Sequence, residues 1–217
     1  MVYLNGLVRS IIGDRFFMNE KFFDLKKEKQ DRIINAALKA FALGGYMHAS
    51  TDDIVKMAGI SKGLIFHYFD TKLGLYQFVY DYSTRVILLE MTTGISKDVT
   101  DFFTIREQIE KTISLCMQQY PYIQLFMYRA EVENVPEAAS AILQTRQSYE
   151  RIMDGVLARG DITRFKDGAN YELVSNVVEM TRRGILEKMF QEGVFQPEVY
   201  LEESLRYMEM MKKLSYN

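Results

Sequence analysis

Residues 51–72, TDDIVKMAGISKGLIFHYFDTK, contain the pattern that decides the fold. Thr51 precedes two acidic residues and a short amphipathic segment, which predicts a helix with Thr51 as its N-cap. Gly59 can adopt a positive φ without strain, so this helix is expected to end there. Ser61 is then in position to cap a second helix. Two short helices joined by a glycine corner predict a helix-turn-helix, a motif whose second helix can lie in the major groove of DNA.

The second helix carries more apolar residues than its own packing requires. Leu64, Ile65 and Phe69 are sufficient to pack against the first helix. The remaining residues are expected on the open face, where they are candidates to contact DNA: Lys62, Gly63, Phe66, His67 and Tyr68. Thr51 and Lys72 are candidate phosphate contacts at the two ends of the motif.

The run SKGLIFHYFDTK, preceded by KQDRIINAALKAFALGGY, resembles the DNA-binding domain of TetR-family transcriptional regulators. The resemblance is close over about residues 25–80 and extends further only as a helical layout. Val55 departs from it, because the family usually has alanine where the two helices cross. His67 followed by Tyr68 also departs, because the reverse order is commoner in the family.

This resemblance implies an all-α protein with an N-terminal three-helix helix-turn-helix domain. A long helix would join this domain to a C-terminal helical domain that binds ligand and forms a dimer. The expected domains are residues 18–72 for DNA binding and residues 73–217 for ligand binding and dimerisation. Residues 1–17 are expected to be an N-terminal extension, and we hypothesise that translation of the native protein begins at Met18.

Composition is consistent with a mostly helical globular chain. The 217 residues are 48% apolar and include only three prolines and no tryptophan. A single cysteine, Cys116, excludes an internal disulfide and indicates a reducing compartment, so a cytoplasmic location is expected. No apolar run approaches the roughly 20 residues that a membrane-spanning helix requires.

Basic residues are slightly concentrated in the expected DNA-binding domain. Residues 19–72 contain nine Lys and Arg against seven Asp and Glu, whereas residues 73–217 contain sixteen against twenty-one. Because this excess is small, affinity for DNA would have to come from a few placed phosphate contacts and from dimerisation. An ordinary solvated mixture of charges explains the same counts.

The apolar spacing predicts further helices over about residues 25–43, 72–91, 98–119, 123–128, 136–159, 171–190 and 199–214. None of these segments has metal-ligand spacing of Cys and His, a glycine-rich phosphate loop, or a nucleophile beside a base. We therefore expect no catalytic site, metal or cofactor.

The resemblance also implies a pocket for a small molecule among the middle helices. Methionine and aromatic side chains would give it an adaptable apolar wall, although plain core packing explains the same residues. The candidate lining residues are Phe102, Phe103, Met117, Phe126, Met127, Tyr149 and Met153. Glu131 and Glu133 could face such a pocket, but an exposed position is the simpler expectation for both.

The last two helices are apolar over wider arcs than one core-facing side requires. Between Tyr171 and Phe190, one stripe contains Tyr171, Val174, Val178, Thr181, Ile185 and Met189, and a neighbouring stripe contains Leu173, Val177, Met180 and Gly184. The last helix shows the same doubling, with Leu201, Leu205 and Met208 beside Tyr207, Met210, Met211 and Leu214. Surplus apolar surface of this kind usually marks an interface, so a four-helix contact with a second subunit is expected. The candidate interface residues are Val174, Val178, Thr181, Ile185, Met189, Leu205 and Met208. Central helices of a single core are the alternative.

The predicted function is that of a homodimeric DNA-binding transcriptional regulator. Repression of a palindromic operator, with release by a hydrophobic or amphipathic small molecule, is the expected mode of action. An activator of the same fold is an alternative that the sequence does not separate from a repressor. An enzyme on a helical scaffold is a second alternative, which the lack of a catalytic constellation disfavours.

Overall fold

The computed structural model describes residues 20–193 and 195–217, in which ten α-helices and two isolated β-bridges are found. The helices are α1 (Glu20–Phe23), α2 (Lys27–His48), α3 (Thr51–Ala58), α4 (Lys62–Phe69), α5 (Lys72–Gly94), α6 (Phe102–Gln119), α7 (Ile123–Glu131), α8 (Pro136–Leu157), α9 (Tyr171–Glu192) and α10 (Pro197–Ser215). The all-α prediction is confirmed. The expected extension 1–17 and the hypothesised start at Met18 lie outside the described residues.

Within the described ranges, no helix combines the length and apolar character needed to cross a lipid bilayer. The helix bounds agree with the predicted segments to within a few residues, except that α2 runs on to His48. Gly45 interrupts this helix with a left-handed φ of 62°, at the point where the sequence predicts its end.

The chain forms two compact units, whose boundaries fall within α5 and α8. One unit contains residues 20–89 and 122–150, and the other contains residues 90–121 and 151–217. The first unit therefore includes α7 and much of α8 together with the helix-turn-helix. The functional boundary predicted after Lys72 differs from this division and remains a prediction.

The core of the first unit is built around α2, which packs against α3 and α7. The apolar residues predicted for this helix are all buried, namely Ile33, Ile34, Ala37, Leu38 and Phe41. Phe41 continues into an aromatic group in which its ring lies 5.0 Å from that of Tyr76, and Tyr76 lies 5.6 Å from Phe126. These rings join the start of α5 to α2 and α7.

The short helix α1 completes the same core from the N-terminal side. Phe22 is fully buried, and its ring lies 5.3 Å from Phe69 and 5.0 Å from Phe78. Phe69 is the last residue of α4. Phe22 therefore supports α4 from its inner side, a contact that the sequence did not predict.

The second unit packs α10 against α6 and α9. Its apolar cluster contains Phe102, Phe103, Val174, Met208 and Tyr216. Cys116 is buried in α6, and burial raises the pKa of its thiol to about 12.

Asp101 connects the start of α6 to the end of the chain. Its Oδ1 accepts a hydrogen bond from the backbone N–H of Thr104 at 2.8 Å, so Asp101 is the N-cap of α6. Its Oδ2 is 2.5 Å from Arg164 Nη1 and accepts from the Tyr216 hydroxyl at 3.1 Å. Burial raises the pKa of Asp101, but the hydrogen bonds from Thr104 and Tyr216 and the charge of Lys212 outweigh it and hold the pKa below its ordinary value.

Candidate nucleic-acid interface

The corner between α3 and α4 has the predicted geometry. Gly59 lies in the left-handed region with φ 64° and ψ 44°. Its N–H donates to Lys56 O at 3.3 Å, and the N–H of Ile60 donates to Val55 O at 3.1 Å. These bonds satisfy carbonyl groups at the end of α3. The helix-turn-helix predicted from the sequence is confirmed.

The cap of α3 differs from the prediction by one residue. Ser50, not Thr51, is the N-cap, and its Oγ accepts from the N–H groups of Asp52 at 3.2 Å and Asp53 at 3.3 Å. Thr51 is the first helical residue and is half-buried. Both residues carry a hydroxyl, but only Ser50 has the extended backbone that an N-cap requires.

Helix α4 has one buried side and one open side. Ile65 and Phe69 are buried, as predicted. Lys62, Gly63 and His67 are exposed, and Phe66 keeps 36% of its surface accessible. A Cβ added at Gly63 would enter open space, so another molecule has room to approach the helix backbone closely at this position. These four residues form the open face of α4.

Tyr68 lies at the edge of this face. It is half-buried, and the centre of its ring lies 5.8 Å from that of Phe22 and 5.0 Å from that of His67, both in an edge-to-face arrangement. Its packing against Phe22 gives Tyr68 a structural role in addition to any contact with DNA.

The two candidate lysines differ in environment. Lys62 is exposed and its Nζ lies 2.7 Å from Asp52 Oδ1. Lys72 is half-buried, donates to Met47 O at 3.1 Å and lies 4.8 Å from the centre of the Tyr46 ring. Burial lowers the pKa of Lys72, against the opposing effect of the nearby carboxylates of Glu137 and Glu133. Lys72 is therefore oriented by the protein, whereas Lys62 is held by one surface ion pair.

The corner after Gly45 is held by a carboxylate from another part of the chain. Glu133, which follows α7, accepts from the N–H of Tyr46 with Oε2 at 3.0 Å and from the N–H of Val135 with Oε1 at 3.0 Å. Tyr46 is buried against Tyr76, with 5.3 Å between ring centres. The sequence suggested a surface position or a pocket for Glu133 and did not predict this contact, because a backbone N–H leaves no signature in the residue type.

The predicted pocket residues fall in both compact units. Phe126 and Met127 are buried in the first unit, where Phe126 packs in the aromatic group of Phe41 and Tyr76. In the second unit Met117 is buried, while Phe102 and Phe103 pack with Phe165 and Tyr216. Two further candidates are half-buried: Tyr149 and Met153. Their role as ligand contacts stays a prediction.

The two apolar stripes of the last helices have distinct environments. The predicted interface residues largely face their own chain: Val174, Ile185, Met189 and Met208 are buried, and Val178, Thr181 and Leu205 are half-buried. The neighbouring stripe is open, with Leu173 62% and Met180 71% exposed. Gly184 continues the open stripe on α9, and Tyr207, Met210 and Leu214 are exposed on α10. The neighbouring stripe is therefore the more exposed apolar surface of these helices, and the interface residues stay a prediction.

Comparison with known proteins agrees with this geometry. Residues 33–78 match the family model described as bacterial regulatory proteins, tetR family. The fatty acid metabolism regulator protein of Bacillus subtilis is 24% identical over 154 residues, covering 70% of this chain and 79% of that protein. The HTH-type transcriptional regulator YuxN of the same organism is 29% identical over 126 residues, covering 56% of this chain and 42% of that protein. This chain thus matches less than half of the length of YuxN.

The fold also occurs in a solved structure of a TetR-family transcriptional regulator from Chloroflexus aurantiacus. That structure has a TM-score of 0.59 and 20% identity, and it covers 91% of this chain and 98% of its own. The helix-turn-helix, its open recognition helix and these matches define a DNA-binding transcriptional regulator, which is a class distinct from enzymes. Residues 33–78 thus carry the DNA-binding domain of the tetR family of bacterial regulatory proteins.

Proposed function

We propose that the protein is a homodimeric repressor that binds a palindromic operator and is released by a hydrophobic or amphipathic small molecule. The observation that carries the proposal is the open face of α4, presented by a helix whose other side is buried in the core of the first unit. An exposed recognition helix on a rigid support is what insertion into the major groove requires. The proposed site of action is the cytoplasm.

The residues of this face suit different parts of the DNA. Lys62 and Gly63, at the start of α4, are proposed to approach base edges, since the N-terminal residues of a recognition helix reach deepest into the groove. Phe66, His67 and Tyr68 would supply contacts to thymine methyl groups and phosphates. Two residues at the ends of the motif are proposed phosphate contacts: Thr51 and Lys72.

The open stripe on α9 and α10 supports the proposal of a homodimer. Its residues are Leu173, Val177, Met180, Gly184, Tyr207, Met210 and Leu214. Surface methionine and leucine side chains in such a row are unfavourable in water and favour burial against another apolar surface. Two copies related by a two-fold axis would present two recognition helices to two half-sites on the order of 34 Å apart, or somewhat more.

The proposed effector is apolar or amphipathic because the interiors of both units are rich in aromatic and methionine side chains. The relative described as a fatty acid metabolism regulator adds some weight to an effector with an acyl-like apolar portion. Release would require a coupling of roughly 1 to 3 kcal/mol between effector and operator binding.

Selection of bound sequences from random DNA, followed by mobility shift at two salt concentrations, tests the proposal. We expect a palindromic consensus and a complex of two subunits that survives unrelated competitor DNA and weakens with salt. Enrichment of no consensus would contradict sequence-specific binding. A reporter gene under the selected site, compared in cells with and without the protein, separates a repressor from an activator.

A further inference from the structure

We propose that Glu133 is a positioning residue for DNA recognition, which fixes the corner between α2 and α3 and, through it, Lys72. This inference rests on the proposed DNA-binding function. The proposal concerns three segments of the chain: the connection after α7, the corner after Gly45 and the start of α5. All three lie within the first compact unit.

The Glu133 carboxylate bridges two segments that are far apart in sequence. One oxygen accepts the N–H of Tyr46 and the other accepts the N–H of Val135, each at 3.0 Å. The positive φ of Gly45 turns the Tyr46 N–H out of the α2 hydrogen-bond ladder, so the amide needs an acceptor from elsewhere. Glu133 supplies that acceptor and ties the corner to the start of α8.

The corner leads directly to the helix-turn-helix. Ala49 N–H bonds to Gly45 O at 3.3 Å, and the next residue, Ser50, caps α3. A displacement of the Tyr46 backbone would therefore move the start of α3. Because its carboxylate holds this backbone, Glu133 influences the orientation of the helix-turn-helix, although it lies far from that motif in sequence.

The same corner orients Lys72. The ammonium group of Lys72 donates to Met47 O and lies over the ring of Tyr46. Both of these partners belong to the segment that Glu133 holds. Lys72 begins α5, directly after the recognition helix and its turn, and it is a proposed phosphate contact. Glu133 thus acts on specific DNA binding through the Tyr46 backbone, which sets the start of α3, and on phosphate contact through Lys72.

Three substitutions of Glu133 distinguish the effect of its two hydrogen bonds from the effect of its negative charge. Glu133→Ala removes both acceptors, whereas Glu133→Asp keeps the charge on a shorter side chain that cannot span both amides in the same position. Glu133→Gln keeps the length but offers only one acceptor oxygen. Glu192→Ala, which removes an exposed carboxylate at the end of α9, is the matched control for charge.

Binding to the selected operator and to unrelated DNA would be measured for each variant, together with thermal melting and amide exchange at residues 44–50. We expect the ratio of specific to non-specific affinity to fall about tenfold in both Glu133→Ala and Glu133→Asp, with faster exchange at Tyr46 and an intermediate result for Glu133→Gln. Glu192→Ala should keep the wild-type ratio.

The specificity ratio distinguishes positioning from a general loss of folded protein. Loss of folded protein would lower specific and non-specific binding together and leave their ratio unchanged. A wild-type ratio in a folded Glu133→Asp protein would overturn the proposal. If Glu133→Ala fails to fold, the Asp and Gln variants carry the same test. Failure of the proposed function itself would appear differently, as absence of specific binding by the unaltered protein.

Discussion

Lys62 Nζ lies 2.7 Å from Asp52 Oδ1, so the first residue of the recognition helix is paired with an acid on the preceding helix. Both side chains are exposed to solvent, Lys62 at 50% and Asp52 at 69%. Exposed pairs contribute little to stability, typically about 0 to 1 kcal/mol. The pair is therefore more important for the charge that DNA meets than for the fold.

Asp52→Asn should strengthen binding to DNA because it removes a negative charge that competes with phosphate for Lys62. We expect affinity for operator and for unrelated DNA to rise, with little change in melting temperature. Lys62→Ala should have the opposite effect and lower affinity for operator more than affinity for unrelated DNA, because Lys62 is proposed to approach base edges. An equal loss of affinity for both DNAs in Lys62→Ala, with a salt slope reduced by about 1, would assign Lys62 to a phosphate instead.

His67→Ala should weaken operator binding while leaving the dimer and its melting temperature nearly unchanged. His67 is exposed on the open face of α4, so its removal leaves no cavity in the core. We expect a loss of about tenfold in a mobility-shift titration. His48→Ala is the control, since His48 is also exposed but lies outside the proposed contacts. Loss of folding in His67→Ala would contradict the assignment of His67 to DNA contact.

Ser50→Ala should destabilise the protein by about 1 kcal/mol, because two N–H groups at the start of α3 lose their acceptor. Thr51→Ala should cost less, under about 0.5 kcal/mol, since Thr51 is the first helical residue and not the cap. Urea unfolding followed by circular dichroism measures both. The reverse order of the two effects would restore Thr51 as the cap.

Met180→Glu should convert the proposed dimer to a folded monomer. Met180 is 71% exposed, so the substitution is tolerated within one chain, but two-fold symmetry would place two added carboxylates in one apolar contact. Leu115→Glu, at a 54% exposed position on α6, is the control and should remain dimeric. Sedimentation velocity measures the change. A Met180→Glu protein that sediments like the unaltered dimer would exclude Met180 from the interface.

Glu110→Gln should stabilise the protein at neutral pH. Glu110 is buried in α6 and accepts a hydrogen bond from the Tyr200 hydroxyl. Its pKa is raised above the ordinary value of 4.5, first by burial and also by Glu179, against the opposing effects of Arg182, the Tyr200 hydrogen bond and Arg106. Because the pKa of Glu110 is higher in the folded state, the contribution of this group to stability is fully present below its unfolded-state pKa. That contribution is lost as the pH rises through the folded-state pKa.

Urea midpoints measured from pH 4 to pH 8 test this prediction. The unaltered protein should lose stability as the pH rises above about 4.5, whereas Glu110→Gln should lose less because glutamine carries no charge and still accepts from Tyr200. Parallel pH profiles for the two proteins would show that Glu110 is not the group responsible.

The sequence predicted most of the helix-turn-helix because its signals are local. Gly59 marks the corner by its conformational freedom, and the spacing of Ile65 and Phe69 separates the buried side of α4 from the open side. The sequence does not distinguish Ser50 from Thr51 as the N-cap of α3, because adjacent hydroxyl residues suit the same position and only their backbone conformations differ. Helix type and approximate extent followed from apolar periodicity in the same way.

Contacts between distant segments were not predictable from the same signals. The Glu133 carboxylate meets the backbone of Tyr46, 87 positions away, and no side-chain pattern records that meeting. The stripes containing Val174 and Leu173 are both apolar, so periodicity indicates two apolar directions without saying which one faces the interior. The structure buries Val174, Ile185 and Met189 of the first stripe and exposes Leu173 and Met180 of the second.

The environment of Cys116 makes the protein suitable for spectroscopic labelling. It is the single cysteine in the sequence, it is buried, and a thiol with a pKa of about 12 offers almost no reactive thiolate at neutral pH. A cysteine introduced at an exposed position of the recognition helix such as Gly63 would therefore be the thiol that accepts a maleimide dye or a nitroxide. Electron-spin distance measurements between two identical labels could then follow the separation of recognition helices in solution, without first removing a native thiol.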